Sequence, residues 1–183
     1  MSVTIRSAHE QDVSQFPDVE RSAGEAFRAL PDLAWIADDT VMSVSEHLAH
    51  ATAGVVLAAT ERGGKVVGFL TAENAGTALH IWVMAVVHDR QGQGLGRRLL
   101  DVAADRAREL RLPTLTLTTF VDVPWNAPFY QRCGFRILEP EELDGRLRSI
   151  LQAEAAHGIP AARRCAMQLL AEPTDQRGCR RGG

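Results

Sequence analysis

Apolar and polar residues recur along this chain with two periods, and together they predict a sheet of about seven strands flanked by helices. The clearest strand covers residues 79–87, an apolar and β-branched run that ends in a polar turn. After three closely spaced glycines, leucines and alanines recur at helical spacing from Leu95 to Leu110. A strand that leads through glycines into a helix is the pattern around which the rest of the chain is organised.

The segments before this strand predict one strand, two helices and a hairpin. In chain order they are residues 3–6, 13–30, 46–53, 55–61 and 65–71. Pro17 falls in the first turns of the first helix, where proline is tolerated, and Pro31 ends that helix. Residues 32–44 are predicted to form a loop, and Ser45 is predicted to be the N-cap of the second helix.

The segments after the glycine-rich turn predict a parallel strand over 114–121, a short helix, a strand opening at Gly134-Phe135 and a last strand over 164–170. A stripe of leucine and isoleucine between the last two strands predicts an inserted helical segment over 139–163. The chain is therefore expected to form one domain over 1–171. Residues 172–183 are rich in Pro, Gly and charge and are predicted to be a flexible tail.

Composition narrows the class of protein. A chain of 183 residues with 45% hydrophobic residues suggests one domain with a substantial core. A formal net charge of −3 gives no electrostatic reason to expect a nucleic-acid partner. No apolar run approaches the length of a membrane span and no secretory leader is evident, so we expect no membrane partner and a cytoplasmic location. Cys133, Cys165 and Cys179 lack the spacing of a zinc site, and we expect no metal.

The glycine-rich turn has the character of an anion site. Gly92, Gly94 and Gly96 lack a Cβ, so a phosphate can approach the free N–H groups of the helix that follows. Arg97 and Arg98 add positive charge. No Lys-Ser or Lys-Thr follows, which argues against a Walker loop, and the third glycine comes one residue too early for a Rossmann fingerprint.

These residues resemble the acetyl-CoA loop of the GNAT superfamily of N-acetyltransferases. Gln91, Gly94 and Gly96 fit its (Q/R)xxGx(G/A) pattern, and Met84-Ala85-Val86 is similar to its Leu-Ala-Val segment. His88 stands where the family usually has a proline. Asn126, Tyr130 and Gly134-Phe135 resemble the second signature of the family, in the expected order.

The resemblance implies an α/β fold with a mixed, mostly antiparallel seven-stranded sheet. It also implies an acyltransferase that moves an acetyl group from acetyl-CoA, its co-substrate, to a primary amine of a small molecule or a protein. In relatives a β-bulge separates two strands and frees backbone groups for the cofactor. The residues implied to bind it are Met84, Ala85, Val86, Gln91, Gly92, Gln93, Gly94, Leu95, Gly96, Arg97 and Asn126.

Two side chains are candidates for proton transfer. Tyr130, the only tyrosine in the chain, lies where similar enzymes carry the acid that protonates the departing thiolate. His80 lies four residues before Met84, where similar histone-acetylating members carry a catalytic glutamate, and strand alternation predicts that both point to one face. An ordinary histidine pKa near 6.5 suits a general base. Asp122 and a chain of water molecules are the alternatives.

The acceptor is the least determined element. Several acidic residues fall in the region that closes over the acceptor in similar enzymes: Glu20, Glu25, Asp32, Asp38 and Asp39. They are candidates to attract an ammonium group, and Phe27 and Trp35 are either pocket walls or core. The inserted segment over 139–163 either packs on its own sheet or covers the acceptor or a partner in a homodimer. Alternative functions are transfer of a longer acyl group, a non-catalytic acyl-CoA sensor, which Tyr130 argues against, or a nucleotide-binding module.

Overall fold

The computed structural model describes residues 2–171, which build a single seven-stranded sheet. The strands are β1 (Thr4–Ser7), β2 (Gly54–Thr60), β3 (Val66–Asn74), β4 (Ala78–Val86), β5 (Thr114–Phe120), β6 (Arg136–Ile137) and β7 (Arg164–Leu170). Their order across the sheet is β1-β2-β3-β4-β5-β7-β6. The pair β4–β5 is parallel and every other pair is antiparallel. This confirms the predicted fold class.

The helices connect these strands in the predicted order. They are α1 (Glu10–Val13), α2 (Phe16–Gly24), α3 (Val44–Ala53), α4 (Leu95–Glu109), α5 (Ala127–Arg132) and α6 (Gly145–Ala156). Short 3-10 turns follow α2, over Glu25–Ala29 and Pro31–Asp38, and join it to α3. We call these two turns together the bridging segment. Within residues 2–171, none of the helices has the length and apolar character needed to cross a membrane.

Three local predictions were wrong. The long first helix is divided at Ser14 and Gln15, because Pro17 has no N–H to donate to the carbonyl of Val13, four residues earlier. Its predicted last turn and the predicted loop over 32–44 are largely the 3-10 turns of the bridging segment. The N-cap of α3 is Ser43 rather than Ser45, because Glu46 closes a capping box with Ser43.

Helices cover both faces of the sheet. Leu99, Leu100 and Ala103 of α4 pack with Leu79 and Ile81 of β4 on one face, which we call the α4 face. On the opposite face, Phe16 of α2 stacks on Phe69 of β3 with ring centroids 4.1 Å apart. Because both faces are buried, the central strands are almost entirely apolar.

Helix α6 belongs to the same face as α2 and α3. Its Leu147 packs with Leu138 and with Ala166 of β7. The neighbours of Ala166 in the strand, Cys165 and Met167, lie in the core of the α4 face, so Ala166 points the other way. The inserted segment thus packs on its own sheet, while a homodimer through this helix stays a prediction. The predicted flexible tail over 172–183 lies outside the described residues.

A bulge interrupts β4 at Trp82. Thr71 of β3 pairs with Val83, but the next residue, Ala72, pairs with Ile81, so Trp82 is left without a partner. Pairing of β4 with β5 ends at Ile81. The second half of β4, from Val83 to Val86, is therefore hydrogen-bonded to β3 alone, and a gap opens between β4 and β5.

Candidate active site

The glycine-rich turn places the start of α4 at the end of β4. Gly94 is the N-cap residue of α4, with φ at +78°, a left-handed conformation that L side chains rarely adopt. It offers no capping side chain, and the first turn of α4 carries no acidic residue. A Cβ at Gly94 would meet no atom of residues 2–171 within 4 Å. The start of α4 thus has no capping side chain and has open space beside Gly94, as an anion site requires.

Side chains of the predicted loop residues hold its shape. The Gln91 side-chain amide donates to Val86 O at 3.1 Å, which ties the turn to the end of β4. Gln93 donates to Asp89 O within the turn. Arg97 donates to Arg132 O at the end of α5, so it links the two signature segments. Gly92 has a positive φ, and the side chain of Leu95 is buried, which leaves only its backbone for a ligand.

Gly96 allows α4, α5 and β4 to approach closely. A Cβ there would lie 3.2 Å from the Phe129 ring and 3.6 Å from the end of Met84. Any side chain at this position must displace groups that line the gap. The need for glycine at Gly96 is therefore one of space, whereas at Gly94 it is one of backbone conformation.

Helix α5 brings the second signature to the same face. The Thr119 hydroxyl donates to the Asn126 side-chain oxygen at 2.6 Å, which leaves the amide NH2 of Asn126 for another acceptor. The Tyr130 ring contacts the rings of Phe129 and Phe135, with centroids 5.2 and 5.6 Å away. Burial raises the pKa of Tyr130 above its ordinary value, so its hydroxyl keeps its proton at neutral pH.

The predicted common orientation of His80 and Met84 is wrong. Leu79 and Ile81 before the bulge, and Met84 after it, all pack on the α4 face. The extra residue, Trp82, shifts the alternation by one, so His80 points to the opposite face from Met84. The structure therefore places Met84 and Tyr130 on one side of the sheet and His80 on the other.

His80 is almost fully buried, with 1% of its surface exposed. Its Nδ1 lies 3.0 Å from the Thr116 hydroxyl, which also accepts a hydrogen bond from Arg146 of α6. Burial, with the charge of Arg146, lowers the pKa of His80 to about 3. The imidazole is therefore neutral at pH 7 and a weak proton acceptor. The alternative, Asp122, is exposed and forms an ion pair with Arg163 at 3.0 Å.

Aromatic side chains gather on the face opposite α4. The Trp82 ring packs on His80, with centroids 4.7 Å apart, and its indole N–H donates to Glu73 at 2.8 Å. At the end of β5, Phe27 contacts Phe120 and Trp125. Trp35 and Trp125 are each 38% exposed, as is Trp82. We call this side of the gap the acceptor side.

The bridging segment is joined to α6 across the acceptor side. Asp39, just beyond the segment, pairs with His157 at the end of α6 at 2.9 Å, and Trp35 contacts the same imidazole. Of the other predicted acidic residues, Glu25 and Asp38 both pair with Arg28, and Asp32 is exposed. Glu20 differs from these, because it is partly buried and has no cationic partner among the described residues.

Sequence reasoning missed several residues of the site. In the sequence, Trp82 resembles any other residue of a strand. The bulge becomes visible only in the pairing of β4 with β3 and with β5. Arg164 of β7 and Glu154 of α6 form an ion pair at 2.7 Å, and both bond the Thr118 hydroxyl beside the gap. These contacts join residues far apart in the chain, and nothing in their spacing indicates them.

The site combines features that define a class of protein. A gap in the sheet connects an uncapped helix start on one face with exposed aromatic side chains on the other. Residues 16–135 match the model of the acetyltransferase (GNAT) family. The chain is 30% identical over 152 residues to S-alkylcysteine N-acetyltransferase of Bacillus subtilis (strain 168), which covers 77% of this chain and 83% of that protein. The chain therefore belongs to the GNAT family of acetyltransferases, and its activity is transfer of an acetyl group from acetyl-CoA to an amine.

Solved structures share the fold. The PaiA N-acetyltransferase of Thermoplasma acidophilum, in complex with coenzyme A, superposes with a TM-score of 0.67 at 16% identity, covering 93% of this chain and 99% of that one. The ribosomal-protein-S18-alanine N-acetyltransferase of Escherichia coli gives a TM-score of 0.65 at 17% identity, covering 96% and 98%. At these identities the likeness extends to the fold alone. Within residues 2–171, no group of three or more His, Cys, Asp or Glu is arranged to hold a metal ion.

Proposed function

We propose that this enzyme acetylates the α-amine of a small amino acid with an apolar or thioether side chain, such as an S-alkylcysteine. The observation that carries the proposal is the link between Asp39 and His157, which joins the bridging segment to α6 across the acceptor side. An opening spanned in this way favours a compact acceptor over a folded protein. The exposed indoles of Trp35 and Trp82 offer the apolar surface that a thioether side chain needs. The name of the Bacillus subtilis relative agrees with this choice.

The proposed cofactor residues are those predicted from the sequence. The loop from Gln91 to Arg97 binds the pyrophosphate. The backbone of Met84 to Val86 binds the pantetheine and the thioester oxygen, and the Asn126 amide holds the pantetheine from the other side. Their support is the gap after Ile81, which leaves one edge of β4 unpaired, and the open start of α4.

Tyr130 is the proposed acid. As the acceptor nitrogen bonds to the thioester carbon, the C–S bond breaks and the sulfur takes the Tyr130 proton. The proton that the nitrogen loses as the amide forms then restores Tyr130. Its neutral hydroxyl and its place on the α4 face, beside Phe129, support this role. The role of His80 as base stays a prediction, and its burial speaks against it because the imidazolium would be strongly disfavoured.

The test is thiol release from acetyl-CoA with a panel of acceptors. S-methylcysteine and S-benzylcysteine are compared with alanine, an N-terminal peptide and an aminoglycoside. We expect kcat/KM for the S-substituted cysteines to exceed that for alanine at least tenfold, roughly 1.4 kcal/mol of added contact with the indoles. A peptide or aminoglycoside used more efficiently than every amino acid would contradict the proposed acceptor and leave acetyl transfer intact. No thiol release with any amine would favour the sensor.

A further inference from the structure

Glu20 is a carboxylate in an unusual setting. It lies on α2, and its Oε2 atom is buried without a hydrogen-bond partner among residues 2–171. The carboxylate accepts a hydrogen bond from the backbone N–H of Met42, next to the N-cap of α3. Its neighbour Arg21 pairs with Asp18 at 2.9 Å, and the nearby Glu46 is bound by Ser43. A buried carboxylate oxygen with no donor is costly, so its persistence calls for a partner outside the chain.

Glu20 lies on a helix that packs on the acceptor side, over the part of β4 next to the gap. Phe16, one turn earlier on α2, contacts the ring of His47 of α3 with centroids 5.1 Å apart. His47 Nδ1 lies 2.8 Å from the hydroxyl of Thr71, which pairs with Val83, the first residue of β4 after the bulge. Helix α2 therefore packs over the half of β4 that has separated from β5, and the Glu20 side chain faces the residues just before α3.

We propose that the Glu20 carboxylate binds the ammonium group of the acceptor and takes a proton from it. This rests on the proposed function, for which an amine must reach the gap from the acceptor side. An ammonium group carries three hydrogen-bond donors and one positive charge. It can therefore donate to the unpartnered oxygen of Glu20 and also act as the counter-ion of the carboxylate. Among the acidic residues of this region, Glu25, Asp38 and Asp39 already have cationic or imidazole partners.

The proton balance is complete without any other reagent. The acceptor ammonium gives one proton to Glu20 and becomes a neutral amine. Its lone pair forms the N–C bond, the C–S bond breaks, and the sulfur receives the proton of Tyr130. The second proton lost by the nitrogen restores Tyr130, and Glu20 releases its proton to solvent. Burial also raises the pKa of Glu20 to about 7, opposed by Met42 N–H and Arg21 and aided by Glu46, which matches a base that works near neutral pH.

The test compares Glu20→Gln with the matched control Glu109→Gln, an exposed residue at the end of α4, away from the acceptor side. Glutamine keeps an oxygen for the Met42 N–H, so the variant is expected to fold. With the best acceptor of the panel, we expect the kcat/KM of the wild type to decrease as the pH drops below about 7, which gives the pH profile an acidic limb. In Glu20→Gln the limb should move up to the pKa of the acceptor amine itself, with a roughly 10²-fold loss at pH 7. Glu109→Gln should behave as wild type.

Binding provides a readout that does not depend on turnover. Calorimetric titration of the CoA-bound protein with propylammonium chloride should show at least tenfold weaker binding in Glu20→Gln, and unchanged affinity for CoA. An unshifted acidic limb, or equal ammonium affinity in the two proteins, would overturn the role of Glu20. Absence of turnover with every amine would instead overturn the proposed function, and the ammonium titration would still decide about Glu20.

Discussion

Replacing Tyr130 with phenylalanine isolates the proposed acid from the fold. The ring contacts with Phe129 and Phe135 are kept. The hydroxyl forms no hydrogen bond to another group in the described part of the chain, so its removal leaves no buried partner unsatisfied. We therefore expect the free energy of unfolding to change by less than about 0.5 kcal/mol.

The effect on catalysis should be much larger. The CoA thiolate that leaves has a pKa near 8.5 if it resembles a cysteine thiol, and in a site closed to water it needs a proton donor. Loss of a single acid or donor typically costs 10- to 10³-fold, and we expect kcat to fall roughly 10²-fold, about 2.7 kcal/mol of barrier.

The assay is thiol release under saturating acetyl-CoA, with rapid-mixing measurements of the first turnover. The first turnover shows whether chemistry or product release limits the rate. The calorimetric affinity for CoA should be unchanged. A phenylalanine variant whose first turnover is as fast as that of wild type would refute the reasoning, because no other change in the site accompanies this substitution.

Three further variants test the loop, the face of His80 and the inserted helix. Gly96→Asp should lose measurable CoA binding by calorimetry in a folded protein. Gly145→Asp, where an added Cβ has no atom of residues 2–171 within 4 Å, should keep it. For His80→Gln, we expect the acidic limb of kcat/KM to remain; its disappearance would assign the base to His80. Because its folded pKa of about 3 lies below the unfolded value near 6.5, His80 lowers stability as the pH falls through that window, so this variant should lose less stability in urea between pH 7 and pH 4. Leu147→Ala should destabilise the protein by about 2–4 kcal/mol in urea denaturation, since Leu147 is 2% exposed; a cost under 1 kcal/mol would contradict its role in the core.

The architecture was predictable because its signals are local. Strands β2 to β5 and β7, the hairpin and α4 follow from apolar periodicity and from turns within a few residues. The proline at Pro17 could also have indicated that the first helix is divided. The apolar stripe continues across the division, and this favoured the prediction of one long helix. The N-cap of α3 could be either of two nearby serines, Ser43 or Ser45. Glu46 selects Ser43, because it lies three residues after it and completes a capping box.

The site was predictable only in part. The residues of the glycine-rich turn are consecutive, so their roles could be inferred from a short motif. The orientation of His80 depends on pairing with two other strands, and its hydrogen-bond partner Thr116 lies 36 residues away. Glu20 forms no ion pair within the described residues, whereas other acidic residues nearby do. These pairings depend on the tertiary structure, so the periodicity of the sequence does not predict them.

The bulge at Trp82 constrains the number of residues in β4. Because Trp82 is an extra residue, the alternation of side chains shifts by one position after it. The residues that share the α4 face are Leu79, Ile81, Met84 and Val86, although Ile81 and Met84 are three residues apart rather than two. Deleting Trp82 would restore strict alternation and leave Leu79, Ile81, Met84 and Val86 facing α4, so the core would keep its side chains. Without the bulge, pairing of β4 with β5 would continue past Ile81 and close the gap. The length of this strand is therefore constrained by the gap rather than by the core, and deletion of Trp82 should reduce activity more than stability.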